Sequence, residues 1–354
     1  MGNQGTYKGY IRYKMLFILI LGIATLFTAL LAVSAGSAGL SLKEVILTLF
    51  GHGSRQASIV VFNIRLPRVI TAIVAGIGLA TVGCAMQSIL RNPLASASTL
   101  GIAQGAAFGA SFAIIVLGAG MQNQTLNGVT ISNPYLVSVC AFVSAMLSTL
   151  IVLGLSHFNK VTPESMVLSG VALSTLFSGA TTLLQYFSAD VKVAAVVFWT
   201  FGDLGRTGWN EVVIMTVVVA ASLIYFTFNR WNFNALQNGE ETAKGLGVNA
   251  MHVRLVGMFI CSLTASTIVS FVGIINFIGL IAPHLVRRFV GSDYRYLLPS
   301  SALMGALLLL LSDTAARLVV SPIILPIGAI TSFLGAPLFL YLLFRGGEKR
   351  LRKI

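Results

Sequence analysis

Charge is scarce in this sequence, so the few places where it recurs at fixed spacing are where chemistry has to be sought. Asp313 stands four residues before Arg317, the interval at which two side chains meet on one face of a helix and can pair. Arg65 and Arg68 frame Arg65-Leu66-Pro67-Arg68 at the start of a long apolar run. The polar stretch from Asn234 to Val248 places Glu240 and Lys244 at the same four-residue interval between glycines, which predicts a surface helix of one or two turns. As a bare solvated loop it would do nothing; as a short folded element it suits a docking surface for a soluble partner. The stretch Gly273 to Arg288 is apolar through Ala282 and then turns into Pro283, His284, Arg287 and Arg288. An apolar helix ending in paired cations reads as a span that exits on the cytoplasmic side.

Other chemistries find no residues to carry them. The sequence has no Gly-x-x-x-x-Gly-Lys-Ser/Thr phosphate loop, so the chain is not expected to bind ATP in that manner. His52, His157, His252 and His284 are dispersed, and no Ser/His/Asp, Cys/His or metal-ligand cluster falls on one helix, so neither enzyme activity nor a metal site is expected. Cys84, Cys140 and Cys261 each lie inside an apolar run and read as small core residues. Asp313 is the one plausible intramembrane carboxylate, fewer acids than an ion-coupled carrier usually carries.

The elements that must position these residues follow from composition. Of 354 residues, 56% are hydrophobic and 9% charged, with a mean hydropathy of +0.90, whereas soluble domains carry about 25% charged residues. The chain reads as an all-α polytopic membrane protein, because its apolar runs are about 20 residues long and do not alternate as barrel strands do. Ten transmembrane helices are expected, at roughly 15–35, 69–90, 99–119, 134–155, 165–187, 210–229, 252–272, 273–290, 297–320 and 324–344. Residues 1–14 form a polar, basic N-terminal tail, 15–344 the membrane domain and 345–354 a basic C-terminal tail. The first apolar run is long for a cleaved signal core and is taken as a retained helix.

The net charge of +13 suggests nucleic acid at first sight, but the cations are scattered between apolar runs and fit the positive-inside rule better. With both termini cytoplasmic, most of the 23 basic residues fall on the inner side, Lys160 and the C-terminal tail among them. Arg65, Arg68 and Arg317 do not: they sit at the outer ends of spans. Glycine is abundant, at 35 residues, and small residues recur within spans, as in 101–110. They suit either close helix packing or the lining of a permeation path.

Several motifs in order give the chain a resemblance to a known family. They are Arg65-Leu66-Pro67-Arg68, Gln87-Ser88-Ile89-Leu90-Arg91-Asn92-Pro93-Leu94-Ala95 with Leu100-Gly101, Leu168-Ser169-Gly170, Trp199-Thr200-Phe201-Gly202, Gly239-Glu240-Glu241-Thr242-Ala243 with Leu246-Gly247, Gly273 to Arg288, Asp313-Thr314-Ala315-Ala316-Arg317, and Pro326-Ile327-Gly328 with Gly335-Ala336-Pro337. From about Val60 to Arg345 the chain resembles the permease subunits of type II ABC importers, the FecCD family, which take up iron siderophores, haem and vitamin B12.

The resemblance implies a permease in the cell membrane that moves a large metal chelate inward by alternating access, with ferric siderophore ranked before cobalamin or haem. It implies a second permease copy or a sister permease, two ATP-binding-cassette subunits holding ATP and magnesium on the cytoplasmic side, and a solute-binding protein outside. Arg65, Arg68 and Arg317 would dock that binding protein. Gly239, Glu240, Glu241, Thr242, Ala243, Lys244, Leu246 and Gly247 would couple to the ATPase, and Thr162, Pro163 and Glu164 would form a cytoplasmic gate. Glu164, Ala97 and Ile324 depart from the family pattern. The alternative from another class is an ion-coupled secondary transporter.

Overall fold

The computed structural model describes residues 3–36, 41–122, 129–131, 133–158 and 162–351; Lys160 and the last residues of the expected basic tail, 352–354, lie outside them. In chain order the helices are α1 (Asn3–Ser34), α2 (Leu42–Leu49), α3 (Arg55–Ile59), α4 (Leu66–Ile89), α5 (Ile102–Ile115), α6 (Pro134–Phe158), α7 (Pro163–Tyr186), α8 (Asp190–Thr200), α9 (Trp209–Phe228), α10 (Arg230–Gln237), α11 (Glu240–Gly245), α12 (Ala250–Val272), α13 (Ile278–Val290), α14 (Tyr294–Leu318) and α15 (Ile327–Leu351). A π turn, Val60–Arg65, joins α3 to α4 without a break. Two three-residue strands, β1 (Gly120–Gln122) and β2 (Val129–Ile131), pair antiparallel between α5 and α6.

The bundle is built around α4, which is buried along most of its length. A helix wrapped by others has no lipid face, so it needs small residues where neighbours cross. Gly76 on α4 lies against the backbone of Gly305 on α14, and Gly83 lies against the backbone of Gly279 on α13. The small residues of α5 serve the same end, with Gly109 set against the Cys140 carbonyl of α6. At these positions the glycines are contacts between backbones, not a pore lining. Cys84 and Cys261 are buried and Cys140 is half-buried.

Gly83→Val would drive a branched side chain into the Gly279 backbone, which cannot move away as a side-chain tip can. Overpacking of this kind costs about 1–3 kcal/mol or more. The expected result is a lower midpoint of thermal unfolding in detergent. Gly22→Val, where the added carbon meets nothing within 4 Å, should leave the midpoint unchanged.

Among the described residues, seven helices are long and apolar enough to cross a membrane. Seven of the ten expected spans correspond to them, two others fall on α5 and α13, which do not reach that length, and the tenth falls on the 25-residue α15. Helix α5 has 14 residues and α13 has 13, which at 1.5 Å per residue gives about 20 Å against a hydrocarbon core of about 30 Å. The expected span at 324–344 falls on α15, which begins at Ile327 and continues to Leu351.

The expected span at 273–290 therefore needs correction. Its first five residues are not helical, because Gly273 (φ +79°) turns away beside Gly202 and Phe277 adopts a left-handed conformation (φ +66°) before α13 begins. The start of α5 mirrors this: Gly101 (φ +77°) lies against Ser148 of α6, well inside the bundle. The short 3-10 turn that Ser96 leads into (Ala97–Leu100) and the non-helical Ile274–Phe277 face each other across a small cavity of about 40 Å³. Irregular backbone of this kind is tolerated at membrane depth where it lines a cavity and does not face lipid.

Candidate functional site

Two clusters of charge, one at each end of the bundle, account for most of the ionisable residues singled out in the sequence. At the end where α4 begins and α14 finishes, Asp313 is fully buried and both its oxygens are engaged. Oδ1 accepts from Arg68 Nε at 2.9 Å and Oδ2 accepts from Arg317 Nε at 2.9 Å. Arg68 also lies 3.6 Å from the half-exposed Asp203, whose Oδ1 accepts the Gly205 amide. The pairing of Asp313 with Arg317 is the one the four-residue spacing indicates. Arg68 comes from a helix 245 positions away and has no local signal.

The remaining guanidinium donors point at the end of α1. Arg65 donates to the Val33 and Ser34 carbonyls, both at 2.8 Å, and Arg317 to those of Ala35 at 2.6 Å and Ala32 at 3.0 Å. The last carbonyls of a helix lack intrahelical partners and carry partial negative charge, so cations belong there. This gives a physical reason for arginines at this end of the bundle. Three cations and two carboxylates leave the cluster positive, and they do not project: Arg65 and Arg68 are 6% and 8% exposed. They form one wall of a cavity of about 220 Å³ that Gly36, Pro322 and Ile324 help to line.

At the opposite end, the stretch expected to be one short helix folds as two. Helix α10 ends at Gln237, and Gly239 (φ +118°) turns the chain into α11. Helix α10 is anchored by Gln237 to Ser88 (2.9 Å) and by Asn234 to Asp293 (3.2 Å), with Phe233 stacked on Tyr294 at 5.1 Å. Helix α11 buries Ala243 and is tied down by Glu240, whose Oε2 lies 3.2 Å from Arg254 Nη2. Arg254 is 4% exposed and, among the described residues, its Nε has no hydrogen-bond partner. Lys244 pairs with Glu240 at 3.7 Å and Glu241 at 3.2 Å, but these exposed pairs are worth less than about 1 kcal/mol. Glu241 and Leu246 turn outward, and Gly247 (φ +75°) closes the element.

Thr162 caps α7 by accepting the Ser165 amide, Pro163 takes the first helical position, and Glu164 is exposed. Hydrogen bonding with Thr162 holds the Glu164 carboxyl below its usual range, and Arg91 and Arg254 add to this through space. Arg287, one of the paired cations at the end of α13, donates to Gln87 at 3.1 Å, and Gln87 donates to the Leu280 carbonyl at 3.3 Å. His284 packs edge-on to Phe339 with Nδ1 buried.

Sequence reasoning passed over the face of α7 that carries Ser174, Thr175, Ser178, Gly179 and Thr182. With Gln104 of α5 these residues line a wide, open hollow. Ser174, Thr175 and Thr182 bond back to carbonyls four residues earlier, at 2.8, 3.1 and 3.0 Å. The signal that could have found the stripe is its spacing, i, i+1, i+4, i+5 and i+8, on a span of modest hydropathy.

Comparison with known proteins bears on the arrangement as a whole. The family model described as the FecCD transport family matches residues 24–345. A protein assigned as an ABC transporter permease in Methanocaldococcus jannaschii is 50% identical over 339 residues, covering 96% of this chain and 97% of that protein. A hemin transport system permease protein of Yersinia pestis is 34% identical, covering 94% and 97%. A Fe(3+)-citrate import system permease protein of Bacillus subtilis is 33% identical, covering 93% and 95%. Among solved structures, an inward-facing metal-chelate type ABC transporter aligns with a TM-score of 0.81 at 30% identity, covering 93% of this chain and 98% of its own.

Proposed function

The chain belongs to the FecCD transport family, and from that premise we propose that it is the permease of an importer that carries a large metal chelate inward. The observation that carries the reading is the seating of α11: a short helix with an outward acidic and apolar face, fixed to the bundle through Glu240 and the buried Arg254. A push on that face is delivered to α12 instead of being absorbed by a loose loop.

In this reading two ATPase subunits engage Gly239 to Gly247 and hold the ATP and magnesium, while this chain supplies the moving path. A second permease, identical or sister, faces the hydroxyl stripe of α7. A span surface of serines and threonines is better matched to a water-filled path than to hydrocarbon. Thr162, Pro163 and Glu164 form the cytoplasmic gate, within the electrostatic reach of Arg254. On the outer side Arg65, Arg68 and Arg317 present a positive pocket to acidic residues of a solute-binding protein, where complementary charge sets orientation and encounter rate. The tails, 1–14 and 345–354, lie in the cytoplasm. Ferric siderophore ranks first as cargo, ahead of haem and cobalamin, in keeping with relatives named for hemin and Fe(3+)-citrate.

The ion-coupled alternative would need a carboxylate open to the driving ion. Asp313, the plausible one, has both oxygens held by guanidinium groups.

The test is ATPase activity of the permease reconstituted with its ATPase subunit, with and without the binding protein. Arg65→Gln, which leaves both Asp313 pairs intact, should weaken stimulation by the binding protein while basal activity persists. Glu240→Ala with Glu241→Ala should weaken association with the ATPase. Transport that follows an ion gradient, with neither change mattering, would overturn the proposal.

A further inference from the structure

Two cavities adjoin on the side of the bundle where α6 and α9 stand either side of α12. They share Tyr135, Ser138 and Phe271 and together form one slot that runs inward from the outer end. The outer part, about 210 Å³, is polar at its mouth, with Arg206 and Glu211. The inner part, about 400 Å³, is walled by Val139 and Phe142 of α6, Ile214 of α9 and Leu263 of α12. From Tyr135 to Phe142 the slot descends seven residues, about 10 Å along the helix.

The charges at the mouth are unequal in what they can still do. Glu211 is occupied in accepting the Gly208 amide at the start of α9, at 2.7 Å. Arg206 is exposed and donates to the Trp199 and Phe198 carbonyls, and among the described residues it has no carboxylate within 4.0 Å. Asp203 acts on it only through space, so the guanidinium can still meet an anion at the mouth of the slot, beside the start of α9.

The walls decide what fills the rest. Tyr135, Val139, Val143, Val213, Ile214 and Val217 are all exposed on this side, which makes it a hydrocarbon-facing surface. An apolar hollow of this size stays dry, and in a bilayer the apolar matter next to it is acyl chain. We propose that the slot is the seat of one glycerophospholipid of the outer leaflet, its phosphate at Arg206 and an acyl chain laid between α6 and α9. The site does not depend on what the protein carries; which leaflet supplies the lipid rests on the orientation proposed above.

The experiment is native mass spectrometry of the full-length permease with its ATPase subunit, delipidated in detergent and titrated with phosphatidylglycerol or with diacylglycerol of the same chains. Wild type should retain one phosphatidylglycerol and hold diacylglycerol much less well. Arg206→Gln should weaken phosphatidylglycerol about tenfold, the loss expected for a charge-assisted hydrogen bond. Leu263→Trp, and Ile214→Trp from the opposite wall in case the first does not fold, should abolish retention. Arg230→Gln at the inner end should bind as wild type. A wild-type protein that retains no lipid at unit stoichiometry, equal retention by wild type, Arg206→Gln and both tryptophan variants, or a second protein copy occupying the slot would each overturn the proposal.

Discussion

Asp313→Ala is expected to lower stability by about 3–5 kcal/mol, the usual cost of removing one partner from a buried ion pair. The effect should fall at the upper end because one carboxylate serves two guanidinium groups, Arg68 and Arg317, and neither can withdraw into water. Fluorescence-detected gel filtration after heating would show it as a fall in melting midpoint and in the yield of monodisperse protein. Asp313→Asn keeps the shape and removes the charge, so it should be nearly as damaging. Removing one stranded cation as well, in Asp313→Asn with Arg317→Gln, should recover part of the loss. Coupling of that kind is what a shared network produces and independent sites do not. If Asp313→Ala left the midpoint unchanged, the cluster would not be the outer clasp of the fold described above.

Arg254→Gln is expected to separate ATP hydrolysis from transport in the reconstituted importer. The substitution keeps a polar side chain under α11 and removes the charge that holds Glu240. A hydrogen bond to a charged group contributes about 1.5–3 kcal/mol, and the lower figure applies here because the Glu240 side chain is 40% exposed. Transport per ATP should fall about tenfold while basal hydrolysis stays within about twofold. Glu240→Gln should give the same phenotype, and the double variant should be little worse than either alone. Equal loss of hydrolysis and transport would instead mean that Arg254 only supports the local fold.

What could be read from the chain, and what could not, divides by distance along it. Apolar run length located the spans, and a four-residue interval placed Asp313 beside Arg317, because both signals are local. The glycine-bounded polar stretch likewise announced α11. Arg68 with Asp313, Arg65 with the end of α1, and Arg254 with Glu240 are tertiary facts: each side chain is specified by where another segment arrives. The half-length helices were hidden for another reason. Hydropathy records how apolar a residue is and not where a chain lies in depth, so 273–290 looks like a span although Gly273 and Phe277 unwind its first third. The stripe on α7 was visible in the spacing of its hydroxyls but carries no charge to draw attention.

The shortness of α13 has a consequence for how the protein is made. Thirteen residues that close on two arginines offer too little apolar length to enter a bilayer as an independent span, and the irregular backbone ahead of them would leave amide groups bare in lipid. What makes the segment tolerable there is the protein already around it, the Gly83 surface of α4 above all. Residues 273–290 must then arrive last among their neighbours, moving in from the aqueous face or alongside α12 once α4 is seated. Biogenesis of this bundle is thus not the serial delivery of finished helices: at least one piece acquires its membrane address only through tertiary folding.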